Sequence, residues 1–102
     1  MEGEIWKEIK DFPNYEVSKL GNVRNKATKK LLTLFVDNTG YYRTSIRHNK
    51  TTKIIKIHRV VASTFISNFK NKKTVNHIDH NKLNNKVNNL EWATQGEQND
   101  HK

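Results

Sequence analysis

In several short runs apolar and polar residues alternate, and in one stretch the apolar positions switch to helical spacing. Ile5-Trp6-Lys7-Glu8-Ile9 is short and partly alternating, which predicts a strand or irregular segment, and Phe12-Pro13-Asn14 reads as a turn. Tyr15 to Ser18 alternates, Lys19-Leu20-Gly21-Asn22 supplies turn chemistry, and Val23-Arg24-Asn25 completes a predicted hairpin. Leu31 to Val36 is an apolar run closed by Asp37-Asn38-Thr39-Gly40. Tyr41 to Arg47 alternates again; as a strand it sets Arg43, Ser45 and Arg47 on one face and Tyr42, Thr44 and Ile46 on the other. The turn His48-Asn49-Lys50 leads to a further strand, Thr52 to Ile57, so the middle of the chain is expected to be a small antiparallel sheet.

The period changes at His58. Apolar side chains at 61, 62, 65 and 66 share one helical face, which predicts a short buried helix over His58 to Ile66, with the basic loop Lys70-Asn71-Lys72-Lys73 beyond it. His58 opens that helix, where a structural role such as bonding to the backbone is expected ahead of a catalytic one. Thr74 to Ile78 and Leu90 to Ala93 are short strands, and Trp92 is a core residue. Between them lies an Asn-rich connection, longer than a tight turn, whose Asn and Asp side chains can bond to nearby backbone and hold it rigid. Thr94-Gln95-Gly96-Glu97 fits a capping box, so a helix is expected from there through Lys102. The fold class is therefore α+β: a small N-terminal antiparallel sheet, a central helix, and a strand, loop, strand, helix unit at the C-terminal end. It divides into a β-rich region over 1–57 and a second region over 58–102.

Composition narrows the chemistry. A chain of 102 residues with 33% apolar and 9% aromatic residues can build one modest core. Its formal net charge of +9 points to a polyanionic partner, with nucleic acid first, because clustered Lys and Arg displace counterions from phosphates. There is no cysteine, so disulfides and thiolate zinc sites are excluded. No apolar run is long enough to span a bilayer and the first residues lack the apolar core of a signal peptide, so a cytoplasmic protein with no membrane partner is expected. The basic residues are scattered over many short elements rather than one amphipathic helix, which argues against a membrane-surface binder.

Asn76-His77-Ile78-Asp79-His80-Asn81-Lys82-Leu83-Asn84-Asn85, followed by Asn88-Asn89-Leu90-Glu91-Trp92-Ala93-Thr94, gathers an imidazole, a carboxylate and many amides in a basic chain, a combination suited to phosphodiester chemistry. The segment Val75 to His101 resembles the HNH endonucleases of the ββα-metal fold, of the subgroup found in phage genomes and intron-encoded homing endonucleases. Ile57 to Ile66 looks like that subgroup's helix. Glu4-Ile5-Trp6-Lys7 with Tyr15 to Arg24 looks like its modular N-terminal DNA-binding motif.

The resemblance implies a metal-dependent DNA endonuclease that nicks double-stranded DNA in a bacterial or phage-infected cell. In it His77 is the general base and a single Mg2+ or Mn2+ ion stabilises charge on the phosphate. Asn76 matches the first metal-ligand position. The second falls on Gln98, where the family has Asn or His, with Asn99 as the alternative register and His101 one turn along. Asn89 matches the middle Asn that ties the loop to the hairpin, with Asn85 as the alternative, and Asp79 is placed to orient the His77 imidazole. Arg24, Arg43, Arg47, Arg59 and Lys82 are the expected DNA contacts. His80 stands where the family commonly has Gly, and on a regular strand Asn76 and His77 point to opposite faces. The competing readings are a zinc site from His58, His77, His80 and His101, disfavoured by spacing, and a catalytically impaired protein of the same fold that binds DNA or inhibits by occupancy.

Overall fold

A computed structural model describes residues 4–68 and 70–94. Among these residues, three small antiparallel sheets surround one α-helix. The first sheet joins β1 (Trp6–Ile9), β2 (Phe12–Ser18) and β3 (Val23–Asn25) in that order. Here the sequence expectation needs correction, because Phe12-Pro13-Asn14 is not a turn; the chain reverses at Lys10-Asp11 and Phe12 already belongs to β2. The β1–β2 register jumps from Glu8 opposite Glu16 to Ile9 opposite Phe12. Pro13 falls inside that irregularity, where no ladder partner requires its missing N–H.

The second sheet holds β4 (Phe35–Val36), β5 (Tyr42–His48) and β6 (Thr51–Lys56). Alternation along β5 matches the sequence pattern: Thr44 and Ile46 are buried, while Ser45 and Arg47 are exposed. The run from Leu31 contributes only a bridge to Arg24 before β4, and Leu31, Phe35 and Val36 remain exposed. Helix α1 (Ile57–Phe65) follows β6 directly and buries Ile57, His58, Val60, Val61 and Ala62. It touches strands of both sheets and also β7 (Thr74–His77) and β8 (Leu90–Ala93), the antiparallel pair that forms the third sheet. One core therefore runs through all the layers, from Ile9, Tyr15, Val17 and Val23 through Ile46, Ile55 and the helix to Val75 and Leu90. Trp92 packs against this core as expected, and its indole N–H donates to the Ile66 carbonyl at 3.0 Å.

The two expected regions meet at the turn after β2. The Val87 N–H donates to the Lys19 carbonyl at 2.8 Å. Gly21 has φ +92°, and a Cβ there would stand 3.0 Å from Asn85 Cβ and 3.2 Å from its carbonyl oxygen. Glycine is thus required both by the left-handed backbone and by the close approach of the loop. The capping-box residues Gln95 to Glu97 and the helix expected to follow them lie outside the described residues.

Candidate active site

The loop from Ile78 to Asn89 is built by its own side chains. The Asp79 carboxylate accepts from the Asn81 N–H at 2.8 Å, from Asn84 Nδ2 at 2.9 Å and from Asn89 Nδ2 at 2.9 Å. Asn89, itself buried, returns a bond by accepting the Asp79 N–H at 3.1 Å and donates further to the Asn84 carbonyl at 2.9 Å. Its backbone carbonyl accepts the Ile78 N–H at 2.8 Å. Asn84's amide first, then the Asn81 backbone and the Asn89 amide, hold the Asp79 carboxyl below the usual carboxylate range. A loop with no apolar core of its own is thereby fixed by short polar side chains.

This bonding pattern reassigns one residue. Asp79 is occupied with the loop, and the partner on the His77 imidazole is Asn85, whose Oδ1 lies 2.7 Å from Nε2 with both residues buried. Asn85 is in turn pressed against Gly21. His77 ends β7 and faces two further rings, His58 with centroids 5.2 Å apart and Tyr41 at 5.7 Å. His58 and Tyr41 stack at 4.7 Å.

His58 has the structural place expected of it, but by packing: its Nδ1 is buried without a hydrogen-bond partner, and the ring forms the wall behind His77. Burial first, then the neighbouring His77 and the Arg59 and Lys56 charges, push its pKa down to about 3. Sequence reading missed this role because a lone histidine on a helix's buried face carries no mark of its neighbours.

The depressed His58 value sets the direction of acid sensitivity. Its folded pKa lies below the ordinary value of 6.5, so the stability linked to a neutral ring is complete above pH 6.5 and is lost as pH falls toward about 3. At roughly 1.4 kcal/mol per pH unit, the loss by pH 4.5 is on the order of 3 kcal/mol. Urea denaturation across this range is expected to show that slope, and His58→Phe is expected to flatten it.

Asn76 and His77 serve different partners, as regular alternation requires. The β7–β8 register is unbroken, with Asn76 opposite Glu91 and His77 opposite Leu90. Asn76 is buried and its Nδ2 donates to Glu91 Oε2 at 2.9 Å. Gln98, Asn99 and His101, the other residues assigned to metal ligation or zinc, lie outside the described residues. His80 sits in the left-handed region with φ +65°, consistent with a position where glycine is at home. Among the described residues no three His, Cys, Asp or Glu side chains gather to hold a metal.

Most of the expected DNA contacts already have internal partners. Arg24 Nε donates to Glu16 at 2.8 Å and its guanidinium lies 4.0 Å above the Trp6 ring. Arg43 pairs with Asp37 at 3.3 Å and approaches the Phe35 ring. Arg59 donates to the Lys73 carbonyl at 3.0 Å, and Lys82 donates to the Thr39 carbonyl at 3.0 Å while lying over Tyr41. Of these five, Arg47 alone has a guanidinium with no hydrogen bond or ion pair among the described residues.

Comparison with known proteins agrees with this architecture. Residues 4–47 match the NUMOD4 motif, and residues 56–100 match the HNH endonuclease family. The chain is 48% identical over 88 residues to an HNH endonuclease of Acanthamoeba polyphaga mimivirus, an alignment covering 86% of this chain and 26% of that protein. It is 35% identical over 91 residues to the DNA endonuclease I-HmuI of Bacillus phage SP01, covering 88% of this chain and 52% of the relative. A solved structure of I-HmuI, described as showing DNA binding and cleavage by that HNH homing endonuclease, superposes with a TM-score of 0.88 at 33% identity, over 95% of this chain and 56% of the other. The chain thus spans between about a quarter and about a half of the curated relatives' lengths. With a NUMOD4 motif followed by an HNH domain, a shared fold and this level of identity, the chain belongs to the HNH endonuclease family.

Proposed function

We propose that the protein is a divalent-cation-dependent endonuclease that hydrolyses phosphodiester bonds in double-stranded DNA by nicking one strand, with His77 as general base. The observation that carries this reading is the buried 2.7 Å contact between His77 Nε2 and Asn85 Oδ1. An amide oxygen accepts, so with Oδ1 toward the ring Nε2 bears the proton and the lone pair is left on Nδ1. That nitrogen takes a proton from water as the water oxygen attacks phosphorus. The P–O bond to the leaving sugar oxygen then breaks, that oxygen takes a proton from solvent water, and the His77 imidazolium returns its proton to solvent. Asn85 holds the imidazole in the required tautomer, His58 and Tyr41 limit its tilt, and the Asp79–Asn89 network fixes the loop around it.

A divalent cation, Mg2+ or Mn2+, would offset charge on the phosphate and the leaving oxygen. The residues fit such an ion. Asn76 presents a hard amide oxygen while its Nδ2 is occupied by Glu91, and a hydrated cation of this type needs few protein ligands. Gln98 or Asn99 would add a second amide oxygen. In this reading the region over 1–57 grips the duplex and the region over 58–102 cleaves it. The setting is the cytoplasm of a host cell; among the described residues no helix is long and apolar enough to cross a membrane.

Supercoiled plasmid incubated with the protein and Mg2+ or Mn2+ tests the proposal. Nicked circles are expected before linear product, with none in excess EDTA. A DNA mobility shift without any cutting would instead identify a catalytically impaired binder. Arg47 is the side chain best placed to meet a phosphate. Arg47→Ala is expected to reduce the slope of log affinity against log salt by about one unit without altering sequence preference. Arg24→Ala is expected to loosen the Trp6–Glu16 cluster and leave that slope unchanged.

A further inference from the structure

Neither metal-ligand position assigned from the family resemblance, Asn76 or Gln98, carries a charge, yet the strand opposite Asn76 supplies a carboxylate. Asn76 on β7 and Glu91 on β8 are direct cross-strand partners, so their side chains share one face of the hairpin. The contact between them settles the orientation of the amide. A carboxylate only accepts hydrogen bonds, so the end of the amide facing Glu91 Oε2 at 2.9 Å must be the donating Nδ2. Oδ1 is then held on the opposite side of the amide, directed away from that oxygen, in a side chain only 7% exposed. Glu91 also borders an open cavity with Asn68, Lys70 and Lys72, so a negative group and two positive ones meet at one surface.

We propose that Glu91 is a positioning residue for a divalent-cation site centred on Asn76, orienting the amide so that its oxygen is the donor and supplying the negative charge that the neutral ligands lack. This inference rests on the cation-dependent reading above. Glu91 acts through the Asn76 amide and through the waters that a small hard cation retains, the manner in which outer carboxylates commonly tune a metal site. A purely structural Glu91, bonded across the hairpin or paired with Lys70 and Lys72, would leave cation affinity untouched.

The test is Mn2+ titration of the full chain, following the electron paramagnetic resonance signal of the free ion, with circular dichroism melting on each variant. Glu91→Gln keeps an acceptor for Asn76 Nδ2 but removes the charge, and is expected to weaken Mn2+ binding by roughly tenfold or more. The double variant Asn76→Asp with Glu91→Gln exchanges carboxylate and amide across the ladder, and is expected to restore binding to at least the wild-type level. Folded Glu91→Gln protein that binds Mn2+ as the wild type does would overturn the role of Glu91 alone. A folded exchange variant that fails to recover affinity would do the same. Absence of Mn2+ binding by the wild-type chain would overturn this inference together with the cation-dependent reading on which it stands.

Discussion

His77→Ala is expected to lower the rate of plasmid nicking by roughly 10²- to 10⁴-fold, the usual contribution of a positioned general base. DNA affinity should stay within about twofold, since a ring buried behind Asn85, His58 and Tyr41 adds little to the surface available for phosphate contact. The comparison of rate with affinity is what gives the prediction its force. Loss of both would mean that the substitution collapsed the loop, and circular dichroism would reveal it. Asn85→Ala is expected to show a milder form of the same defect, with the ring still present and its tautomer no longer fixed.

The second large effect is on the loop itself. Asn89→Ala removes an acceptor for the Asp79 N–H and donors to the Asp79 carboxylate and the Asn84 carbonyl. At about 1 kcal/mol net for each bond, the expected destabilisation is about 3 kcal/mol. For a domain of this size that corresponds to a fall in melting temperature on the order of 10–20 °C. Cleavage should fall with it even below the melting transition, because the same loop carries Asn85 onto the His77 ring. Asn89→Asp is the informative companion. It retains the acceptor for the Asp79 N–H but sets two carboxylates against each other, so it should be no more stable than the alanine variant. An effect below about 1 kcal/mol for Asn89→Ala, measured by urea denaturation, would show that the loop is held by other means.

Much of this architecture could be read from residue patterns. Alternation from Tyr42 to Arg47 showed which face of β5 is buried, and the spacing of Val61, Ala62 and Phe65 marked the helix. Local turn chemistry failed at Phe12-Pro13-Asn14, because a proline can lie within a strand where the ladder is interrupted, and only the pairing of β1 with β2 exposes that interruption. His77 and Asn89 were singled out by the family resemblance of the Asn-rich segment. Which side chain bonds to which was not. Asp79 lies two residues from His77 in sequence, yet its oxygens turn to Asn81, Asn84 and Asn89, while Asn85 reaches the ring because the loop folds back against Gly21. Glu91 and His58 were hidden for the same reason: the first gains its meaning from a strand partner fifteen residues away, the second from rings contributed by β7 and by the residue preceding β5.

The assignment of Nδ1 as the proton acceptor is the point on which the proposed chemistry turns. Long-range proton–nitrogen correlation spectra of protein labelled with ¹⁵N at histidine, recorded above pH 8 and assigned through His77→Ala, report directly which ring nitrogen carries the hydrogen. The expected result is His77 in the Nε2–H tautomer in the wild type, with that preference lost in Asn85→Ala. A wild-type His77 found with its proton on Nδ1 would contradict the account.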